Sequence, residues 1–398
     1  MTDSDRAARA RWLPLGVFLL SSAINYLDRQ SLATLAPLVR AEFHLSNADY
    51  GLILAAFSIV YAASAPAAGM LIDRTGLNRV ISVAIGVWSC AGIATGLTHG
   101  FAGLLGCRAV LGAGEAAGIP AAGKAIRQYL RPAERALGNA MNQAGVSLGM
   151  VLAPPIATWI AIQAGWRAAF VATGVLGLLW IPVWNWAARR GKPEPVVAAE
   201  TADIGRLLSD RRLWAFVVAN ALSMIGYSLW TNWTTLYLVD VHRLTVAQAA
   251  WYAWIPPLAA TLGGFSGGWL SLAFIRRGTA PARGRFRVCV LASVVALVTA
   301  AVPAAPTAGW AAAGISLSIF AVAAFSVNMY TLPLDVFSGA HAAFAVSCLV
   351  ASYGAVQAVV SPAFGRLIDL YGYQPVTAIA AVMPLAAAAV LWRTKAVS

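Results

Sequence analysis

Long apolar segments recur along the whole chain and are separated by shorter polar or charged stretches. Each segment has about 20 residues, enough for a helix to cross the ~30 Å hydrocarbon core of a bilayer. Twelve such spans are predicted, at residues 13–36, 50–72, 79–98, 101–123, 138–162, 168–188, 213–238, 247–275, 287–304, 308–332, 341–364 and 374–392. The pattern therefore predicts an all-α integral membrane protein with twelve transmembrane helices.

Composition agrees with a membrane location and excludes a soluble fold. Of the 398 residues, 60% are hydrophobic and 11% are charged, whereas a soluble domain carries about 25% charged residues. Too few polar side chains remain to cover a water-facing surface. Membrane lipid is therefore an expected partner.

Lysine and arginine are concentrated in alternate loops. They precede the first span, follow the second, fourth, sixth and eighth spans, and end the chain, whereas the opposite loops hold only Arg40, Arg167, Arg243 and Arg366. The positive-inside rule then predicts that both termini are cytoplasmic. The basic residues behind the net charge of +13 therefore mark the topology of the membrane helices, and no nucleic-acid partner is expected.

The only long polar stretch, residues 189–212, divides the chain into two sets of six predicted spans. We expect an N-terminal six-helix bundle at 1–188, a cytoplasmic linker at 189–212 and a C-terminal six-helix bundle at 213–398. The halves are weakly similar: APPIATWIAIQAGW (153–166) resembles SPAFGRLIDLYGY (361–373), and the interval from Pro155 to Gly165 equals that from Pro362 to Gly372. A parallel repeat of this kind predicts two pseudo-symmetric bundles with a substrate site at mid-membrane.

The stretch GAGEAAGIPAAGKA, residues 112–125, has the glycine and lysine spacing of a phosphate-binding loop. Such a loop needs a preceding strand and a Ser or Thr after the lysine, but Ala125 follows Lys124 and the upstream residues continue an apolar helix. Small residues also let membrane helices approach closely. The stretch therefore predicts helix packing, with Lys124 at the cytoplasmic end, and no nucleotide site.

Nothing in the sequence indicates a metal, an organic cofactor or a catalytic set. Cys90, Cys107, Cys289 and Cys348 lie within predicted spans without metal-ligand or CxxC spacing, and the histidines lie near helix ends in no metal-binding pair. The first apolar run continues into polar residues and does not resemble a cleavable signal peptide. We expect a protein that is not an enzyme.

Four ionisable residues lie well inside predicted spans: Asp28 and Arg29 in the first, and Arg108 and Glu115 in the fourth. Each costs about 2.5–3.5 kcal/mol at the centre of a membrane helix, so they should pair around a water-filled cavity. Arg108 and Glu115, seven residues apart, project from one helix face, whereas Asp28 and Arg29 diverge by about 100°. We expect Asp28 and Glu115 to face Arg29 and Arg108 across the two helices.

Two interpretations of this quartet are open. It is either a buried ion cluster that only fixes helix packing, or a site where a proton and an anion compete. Buried ion pairs stabilise poorly compared with apolar replacements, which favours the functional interpretation. Carboxylates held near arginines can load and release a proton, and guanidinium groups offer a planar fork to a carboxylate.

Other polar side chains inside the spans are weaker candidates for binding ligand hydroxyl groups, because any one of them is more often an interhelical hydrogen bond. They are Tyr26, Tyr61, Asn142, Gln143, Tyr227, Trp230, Asn232, Asn328, Thr331 and Gln357. The segment 230–233 is the best of these, since it pairs aromatic faces with an amide. Asp335, near the cytoplasmic end of the tenth span, is assigned to a gate or loop network.

The segment GMLIDRTGLNR, residues 69–79, resembles the signature loop of the major facilitator superfamily. Gly69, Asp73, Arg74, Gly76 and Arg79 fill that pattern. The corresponding segment after the eighth span, GGWLSLAFIRRG, keeps glycines and arginines but has no acidic residue. The loop is evidence at the level of the superfamily.

More specific motifs resemble the anion:cation symporter family, which includes bacterial hexuronate and galactonate transporters, sialin and the vesicular glutamate transporters. They are NYLDR (25–29), RAVLGAGEAAGIPAAGKAI (108–126), RPAERALGNAMNQAG (131–145) and NMYTLPLDVF (328–337). The resemblance implies import of an organic anion by alternating access, with a proton as the coupling ion, in the bacterial inner membrane.

In that family, the positions that match Asp28 and Glu115 carry the proton. Those that match Arg29 and Arg108 coordinate the acids and the substrate carboxylate, and Tyr61 matches a substrate-site tyrosine. The seventh span has no arginine, unlike the vesicular glutamate branch, and this favours a sugar acid or small monocarboxylate over a dicarboxylate. One chain contains both halves, so a functional monomer is expected.

Two other functions are weighed. A proton-coupled multidrug antiporter on the same fold takes cationic, lipophilic cargo and has no use for two matching arginines. A membrane receptor that senses an anion without transporting it needs a sizeable output module, and only the 189–212 linker and short tails are available for one.

Overall fold

The computed structural model describes residues 3–131, 134–191, 204–337 and 339–394 of the chain. Residues 192–203 of the expected linker and residues 132–133 of the motif at 131–145 lie outside the described residues. Contacts divide the chain into two units. The first comprises Met1–Leu45 with Leu52–Ala198, and the second comprises Ser46–Gly51 with Ala199–Ser398.

The structure is helical throughout its regular elements, which confirms the predicted all-α class. The helices of the N-terminal part are α1 (Asp3–Phe43), α2 (Asn47–Thr75), α3 (Leu77–Gly96), α4 (Phe101–Glu115), α5 (Gly118–Tyr129), α6 (Arg135–Ala164) and α7 (Trp166–Arg190). The C-terminal part has α8 (Ile204–Leu208), α9 (Arg211–Asp240), α10 (Val246–Ala253), α11 (Ile255–Arg276), α12 (Pro281–Ala296), a 3₁₀ segment (Leu297–Ala304), α13 (Ala308–Val336), α14 (Gly339–Tyr371) and α15 (Tyr373–Arg393).

Within the described residues, 11 stretches are long and apolar enough to cross a membrane. Each coincides with a predicted span to within several residues, and α4–α5, α10–α11 and α12 with its 3₁₀ extension each count as one stretch. Helix α1 covers the first predicted span but is not among the 11. The structure therefore supports a multi-pass membrane protein without confirming the predicted count of twelve.

The core of the first unit is an aromatic cluster between its helices. Helix α1 packs against α6 and α7, and α3 packs against α4 and α7. Trp180 and Trp184 stack with ring centroids 5.4 Å apart, and Phe18 contacts the Trp184 ring edge-on at 5.6 Å. The indole nitrogen of Trp180 donates to the carbonyl of Val17 at 2.7 Å, as a buried tryptophan requires.

Glycines bring α4 close to its neighbours, as the interpretation of residues 112–125 requires. A Cβ added at Gly114 would lie 2.9 Å from the backbone nitrogen of Trp88, and one added at Gly112 would lie 2.5 Å from the carbonyl oxygen of Phe57. Both approaches are too close for a side chain. The residues before Gly112 form helix α4 rather than a strand, which removes the phosphate-loop alternative.

Each unit contains one helix that ends in the same way, at the two segments that are similar in sequence. Helices α6 and α14 contain Pro155 and Pro362, and they end at Gly165 and Gly372, with φ of 82° and 72°. Only glycine takes up this left-handed region easily. The equal proline-to-glycine intervals therefore mark equivalent turns in the two halves of the chain.

In the second unit, Asp369 of α14 caps the first residues of α2. Its carboxylate accepts hydrogen bonds from the backbone nitrogens of Asn47 and Ala48 at 3.0 and 2.9 Å, and from the side chain of Asn47 at 2.8 Å. These contacts satisfy backbone donors that have no partner inside a helix. They explain why Ser46–Gly51 belongs to the second unit.

Two adjacent glycines of α11 allow a matched test of helix packing. A Cβ at Gly267 would lie 2.7 Å from Cα of Ala324 on α13, whereas one at Gly268 meets nothing within 4 Å. We expect Gly267→Ala to destabilise the protein by about 1–3 kcal/mol through overpacking, and Gly268→Ala to be neutral or stabilising because alanine favours a helix. Thermal unfolding in detergent measures both. Equal melting temperatures for the two variants would contradict the close approach of α11 and α13.

Candidate functional site

Two adjacent charged residues lie in the middle of α1. Asp28 is buried, with 3% of its surface exposed, and Arg29 is partly exposed. Successive residues of a helix diverge by about 100°, so the two side chains reach different helices. Arg29 contacts Glu115 of α4, and Asp28 contacts Thr173 of α7.

Arg29 and Glu115 form an ion pair that is buried at its acidic end. Nε of Arg29 donates to Oε2 of Glu115 at 2.9 Å, and Nη2 donates to the same oxygen. The Glu115 side chain has no exposed surface, whereas 24% of the Arg29 side chain is exposed. The second carboxylate oxygen, Oε1, is buried and accepts no hydrogen bond from a described residue. The pair therefore offers an accessible cation and an unused acceptor.

Three aromatic rings surround the guanidinium group of Arg29. Its Cζ lies 4.7 Å from the ring centroid of Phe57, 4.9 Å from that of Tyr26 and 5.4 Å from that of Tyr61. Phe57 and Tyr61 stack on each other at 5.6 Å. Aromatic faces attract a cation electrostatically and match the planar guanidinium. Tyr26 and Tyr61, which were expected to bind a ligand, therefore also hold Arg29 in position.

Asp28 lies among α1, α3, α4 and α7. Its Oδ1 accepts a hydrogen bond of 2.6 Å from the hydroxyl of Thr173, and a Cβ added at Gly92 of α3 would lie 3.2 Å from the same oxygen. Arg108 and then Arg29 act on Asp28 electrostatically. The guanidinium of Arg108 lies over the ring of Phe170, 5.5 Å from its centroid.

The four charged residues expected to meet are thus brought together inside the first unit. Arg108 and Glu115 are both buried, at 3% and 1% exposure, and they share one face of α4 as their spacing predicts. Glu115 interacts electrostatically with Arg29, Asp28 and Arg108. The cluster combines two groups that can bind a proton with two that can bind a carboxylate.

An exposed pair with the same composition lies at the far end of α1. Nη1 of Arg167 donates to Oε1 of Glu42 at 2.5 Å, and the guanidinium of Arg167 lies 4.4 Å from the Trp166 ring and 5.5 Å from the Phe43 ring. The indole of Trp166 donates to Glu42 and, with Arg167, holds the pKa of that carboxyl below its usual range. Surface pairs contribute about 0–1 kcal/mol, so this pair is a control for the buried one.

In the signature loop, Asp73 forms an ion pair with Lys124, whose Nζ lies 2.8 Å from Oδ1 of Asp73. Gly76 has a φ of 95°, a value that favours glycine, and it ends α2 before α3 starts.

Arg79 lines a cavity of about 420 Å³ between α2, α3 and α4, together with apolar residues such as Val83. The buried charged cluster does not line this cavity. A Cβ added at Gly69 would lie 3.9 Å from Cβ of Pro120, and Arg74 is exposed.

The remaining candidates of the first unit lie on α6. Asn142 accepts a hydrogen bond of 2.8 Å from the hydroxyl of Ser22 on α1. Gln143, its neighbour, is exposed. Asn142 therefore takes part in helix packing, whereas Gln143 is exposed.

In the second unit, the candidate amides donate to backbone carbonyls. Asn328 donates to Gly267 and Ala324 at 3.1 and 2.9 Å, and Asn232 donates to Ser228 at 2.8 Å. Thr331 bonds the carbonyl of Val327 at 2.6 Å. Trp230 is 1% exposed and packs edge-on against Tyr237 at 5.6 Å. These contacts fit the interpretation of such residues as interhelical or intrahelical links.

A bidentate ion pair joins Asp335 of α13 to Arg285 of α12. Nε and Nη2 of Arg285 donate to the two carboxylate oxygens at 2.5 and 3.3 Å. Asp335 was expected to take part in a gate or loop network, and the structure gives it a partner on the preceding helix, α12.

Thr173, Gly92 and Phe57 lie next to the charged residues of the cluster, and the sequence did not predict these positions. A threonine inside an apolar span usually bonds the carbonyl of its own helix, and Phe57 has the sequence features of a core residue. The only signal for Thr173 is the presence of two glycines just after it in the segment ATGVLG, because small residues indicate a helix contact.

Comparisons with known proteins agree with this architecture. The family model of the Major Facilitator Superfamily matches residues 18–317. The hexuronate transporter of Escherichia coli strain K12 is 27% identical over 96% of this chain and 93% of its own length. The probable sulfoacetate transporter of Cupriavidus necator is 30% identical over 92% of this chain and 89% of its own length.

A solved structure gives the fold independently. A bacterial homologue of the human lysosomal transporter Spinster, in an inward-facing and occupied conformation, superimposes with a TM-score of 0.81. The two chains are 21% identical, and the match covers 98% of each. At this identity the likeness concerns the fold alone.

Proposed function

This chain belongs to the Major Facilitator Superfamily and is a multi-pass membrane transporter rather than an enzyme, and on that basis we propose that it is a proton-coupled symporter of a monoanionic organic acid. The substrate class is a sugar acid, such as a hexuronate or an aldonate, or a small monocarboxylate. Transport follows alternating access. The observation that carries the proposal is the Arg29–Glu115 pair, which is buried at its acid and partly open at its arginine.

The two carboxylates are the proton sites. Oε1 of Glu115 and Oδ2 of Asp28 are buried and accept no hydrogen bond from a described residue. A buried carboxylate oxygen without a donor is unfavourable, and a proton on either oxygen of the carboxylate removes the charge that burial penalises. Protonation also weakens the attraction of each acid for its arginine.

Charge balance links the proton to the anion. Two acids and two arginines have a formal sum of zero, so adding one proton leaves a buried positive charge. An uncompensated buried charge is strongly unfavourable, and a monoanion neutralises it. Arg29 and Arg108 then receive the carboxylate through their planar groups, and substrate and proton load together. A dianion requires two protons on the same argument.

Relatives support the class of substrate. Two of them are named hexuronate transporters, from Escherichia coli and Bacillus subtilis, and hexuronates carry one carboxylate and several hydroxyls. Gln143 remains the proposed partner of those hydroxyls in the first unit, since Asn232, Asn328 and Thr331 donate to backbone carbonyls and Trp230 is buried. The absence of an arginine from the interior of the seventh span favours the monoanion.

We place the transporter in the inner membrane of a bacterium, with both termini in the cytoplasm. Arg74, Arg79 and Lys124 then lie at the cytoplasmic surface, in agreement with the positive-inside rule. Both units are present in one chain, so a monomer suffices for the cycle.

Uptake by purified protein in proteoliposomes tests the proposal. With an inside-alkaline pH gradient, we expect labelled D-glucuronate or D-galactonate to accumulate above the external concentration, and a protonophore to abolish that accumulation. Sulfoacetate, a dianion, tests the charge rule in the same assay. Accumulation above the external concentration that survives collapse of the pH gradient, or that follows a sodium gradient instead, would exclude proton symport. Proton-driven extrusion of cationic dyes would favour the multidrug antiporter.

A further inference from the structure

Within the described residues, the hydroxyl of Thr173 is the one that forms a hydrogen bond with an acid of the charged cluster. It is 3% exposed, and its Oγ lies 2.6 Å from Oδ1 of Asp28 and 3.1 Å from the carbonyl oxygen of Phe170. A hydroxyl has a single proton to donate and can also accept. It therefore faces two acceptors and donates to one of them at a time.

The surroundings hold this contact in place. Gly92 of α3 leaves just enough room for the carboxylate on another side, since a Cβ there would lie 3.2 Å from Oδ1 of Asp28. Gly174, beside Thr173, brings α7 against α3, where an added Cβ would lie 2.6 Å from the carbonyl oxygen of Ser89. These close approaches keep α3 and α7 beside the carboxylate of Asp28.

We propose that Thr173 is a positioning residue that changes its hydrogen bonding with the proton on Asp28. When Asp28 is charged, the hydroxyl of Thr173 donates to Oδ1. When Asp28 is protonated on Oδ1, this oxygen donates to Oγ of Thr173, and the hydroxyl of Thr173 donates to the carbonyl of Phe170. Both states then satisfy every donor without backbone movement. The proposal rests on the proposed function, in which Asp28 exchanges a proton.

The charges that face Asp28 set the background for this exchange. Arg108 of α4 and Arg29 of α1 both interact with Asp28 as opposite charges. Glu115 of α4 interacts with Asp28 as a like charge. From α3 and α7 the described neighbours, Gly92 and Thr173, are uncharged. Thr173 is therefore the neutral group through which the site adjusts to either protonation state.

Two substitutions at position 173 separate the hydroxyl from the shape of the side chain. Thr173→Val keeps the shape and removes the hydroxyl, whereas Thr173→Ser keeps the hydroxyl. Loss of a hydrogen bond disfavours the charged carboxylate. We therefore expect the pH profile of uptake by Thr173→Val to shift to the alkaline side. The shift should be about one pH unit, which corresponds to the free energy of one hydrogen bond to a charged group. Thr173→Ser should restore the parent profile.

Thr95→Val is the matched control, because Thr95 is buried in the same unit and donates to the carbonyl of Ala91 at 2.8 Å. Its profile should match that of the parent. A Thr173→Val profile that superimposes on the parent would overturn the proposal. A Thr173→Ser variant that fails to restore the profile, or an equal shift in Thr95→Val, would overturn it as well.

Infrared difference spectroscopy during a pH titration gives a readout that needs no transport. The carboxyl band that is lost in Asp28→Asn reports Asp28, and its titration should shift in Thr173→Val and return in Thr173→Ser. An unshifted band would refute the role of Thr173 even if transport is proton-driven. A shifted band with uptake that ignores the pH gradient would instead leave the hydrogen-bond exchange in place and refute the proposed symport.

Discussion

Glu115→Gln is expected to abolish proton-driven accumulation while sparing exchange of substrate across the membrane. Glutamine has nearly the shape of glutamate and keeps an oxygen for the guanidinium of Arg29, but it cannot exchange a proton. Labelled substrate should enter proteoliposomes only until the concentrations equalise, whatever the pH gradient. Counterflow, in which internal unlabelled substrate drives uptake of label, should continue because it needs no net movement of protons.

Glu42→Gln provides the control for this experiment. Glu42 also pairs with an arginine that lies over aromatic rings, but 43% of its side chain is exposed, and it is remote from the cluster along α1. Accumulation by Glu42→Gln should match the parent. If Glu115→Gln accumulates substrate against a gradient as the parent does, Glu115 is not the coupling residue. Loss of both accumulation and counterflow would place Glu115 in binding rather than in coupling.

The sequence predicted the membrane helices and the charged cluster because both depend on strong physical constraints. Apolar runs of about 20 residues have few alternatives to crossing a bilayer, and the described helices coincide with the predicted spans. Asp28, Arg29, Arg108 and Glu115 are costly in hydrocarbon unless they meet, so their pairing followed from their depth. Their roles in transport stay predictions.

The contacts around the cluster could not be predicted, since they depend on which helices lie side by side. Nothing in the sequence assigns Thr173 to Asp28 or Phe57 to Arg29, because threonine and phenylalanine in an apolar span have ordinary packing roles. The same limit applies to Asn328 and Asn232, whose amides donate to carbonyls in the second unit. Side-chain orientation decides between ligand contact and packing, and a one-dimensional pattern does not carry it.

Arg29→Lys is expected to reduce uptake by about tenfold to a hundredfold although the positive charge is kept. Arginine donates through Nε and Nη2 to one carboxylate oxygen and lies flat among Phe57, Tyr26 and Tyr61. The ammonium of lysine is a compact, strongly hydrated charge without a planar fork. Loss of one hydrogen bond to a charged group amounts to about 1.5–3 kcal/mol, which corresponds to the expected factor. Initial rates and apparent KM in proteoliposomes measure it.

Arg167→Lys separates this effect from a general loss of arginine stacking. Arg167 pairs with Glu42 and lies 4.4 Å from the Trp166 ring, yet 35% of its side chain is exposed, where such pairs contribute little. Its uptake should stay within about twofold of the parent. Since the ion pair and the substrate carboxylate use the same planar group, Arg29→Lys should raise KM as well as lower the maximal rate. Unchanged uptake in Arg29→Lys would show that charge alone suffices at this position and would exclude bidentate recognition of the anion.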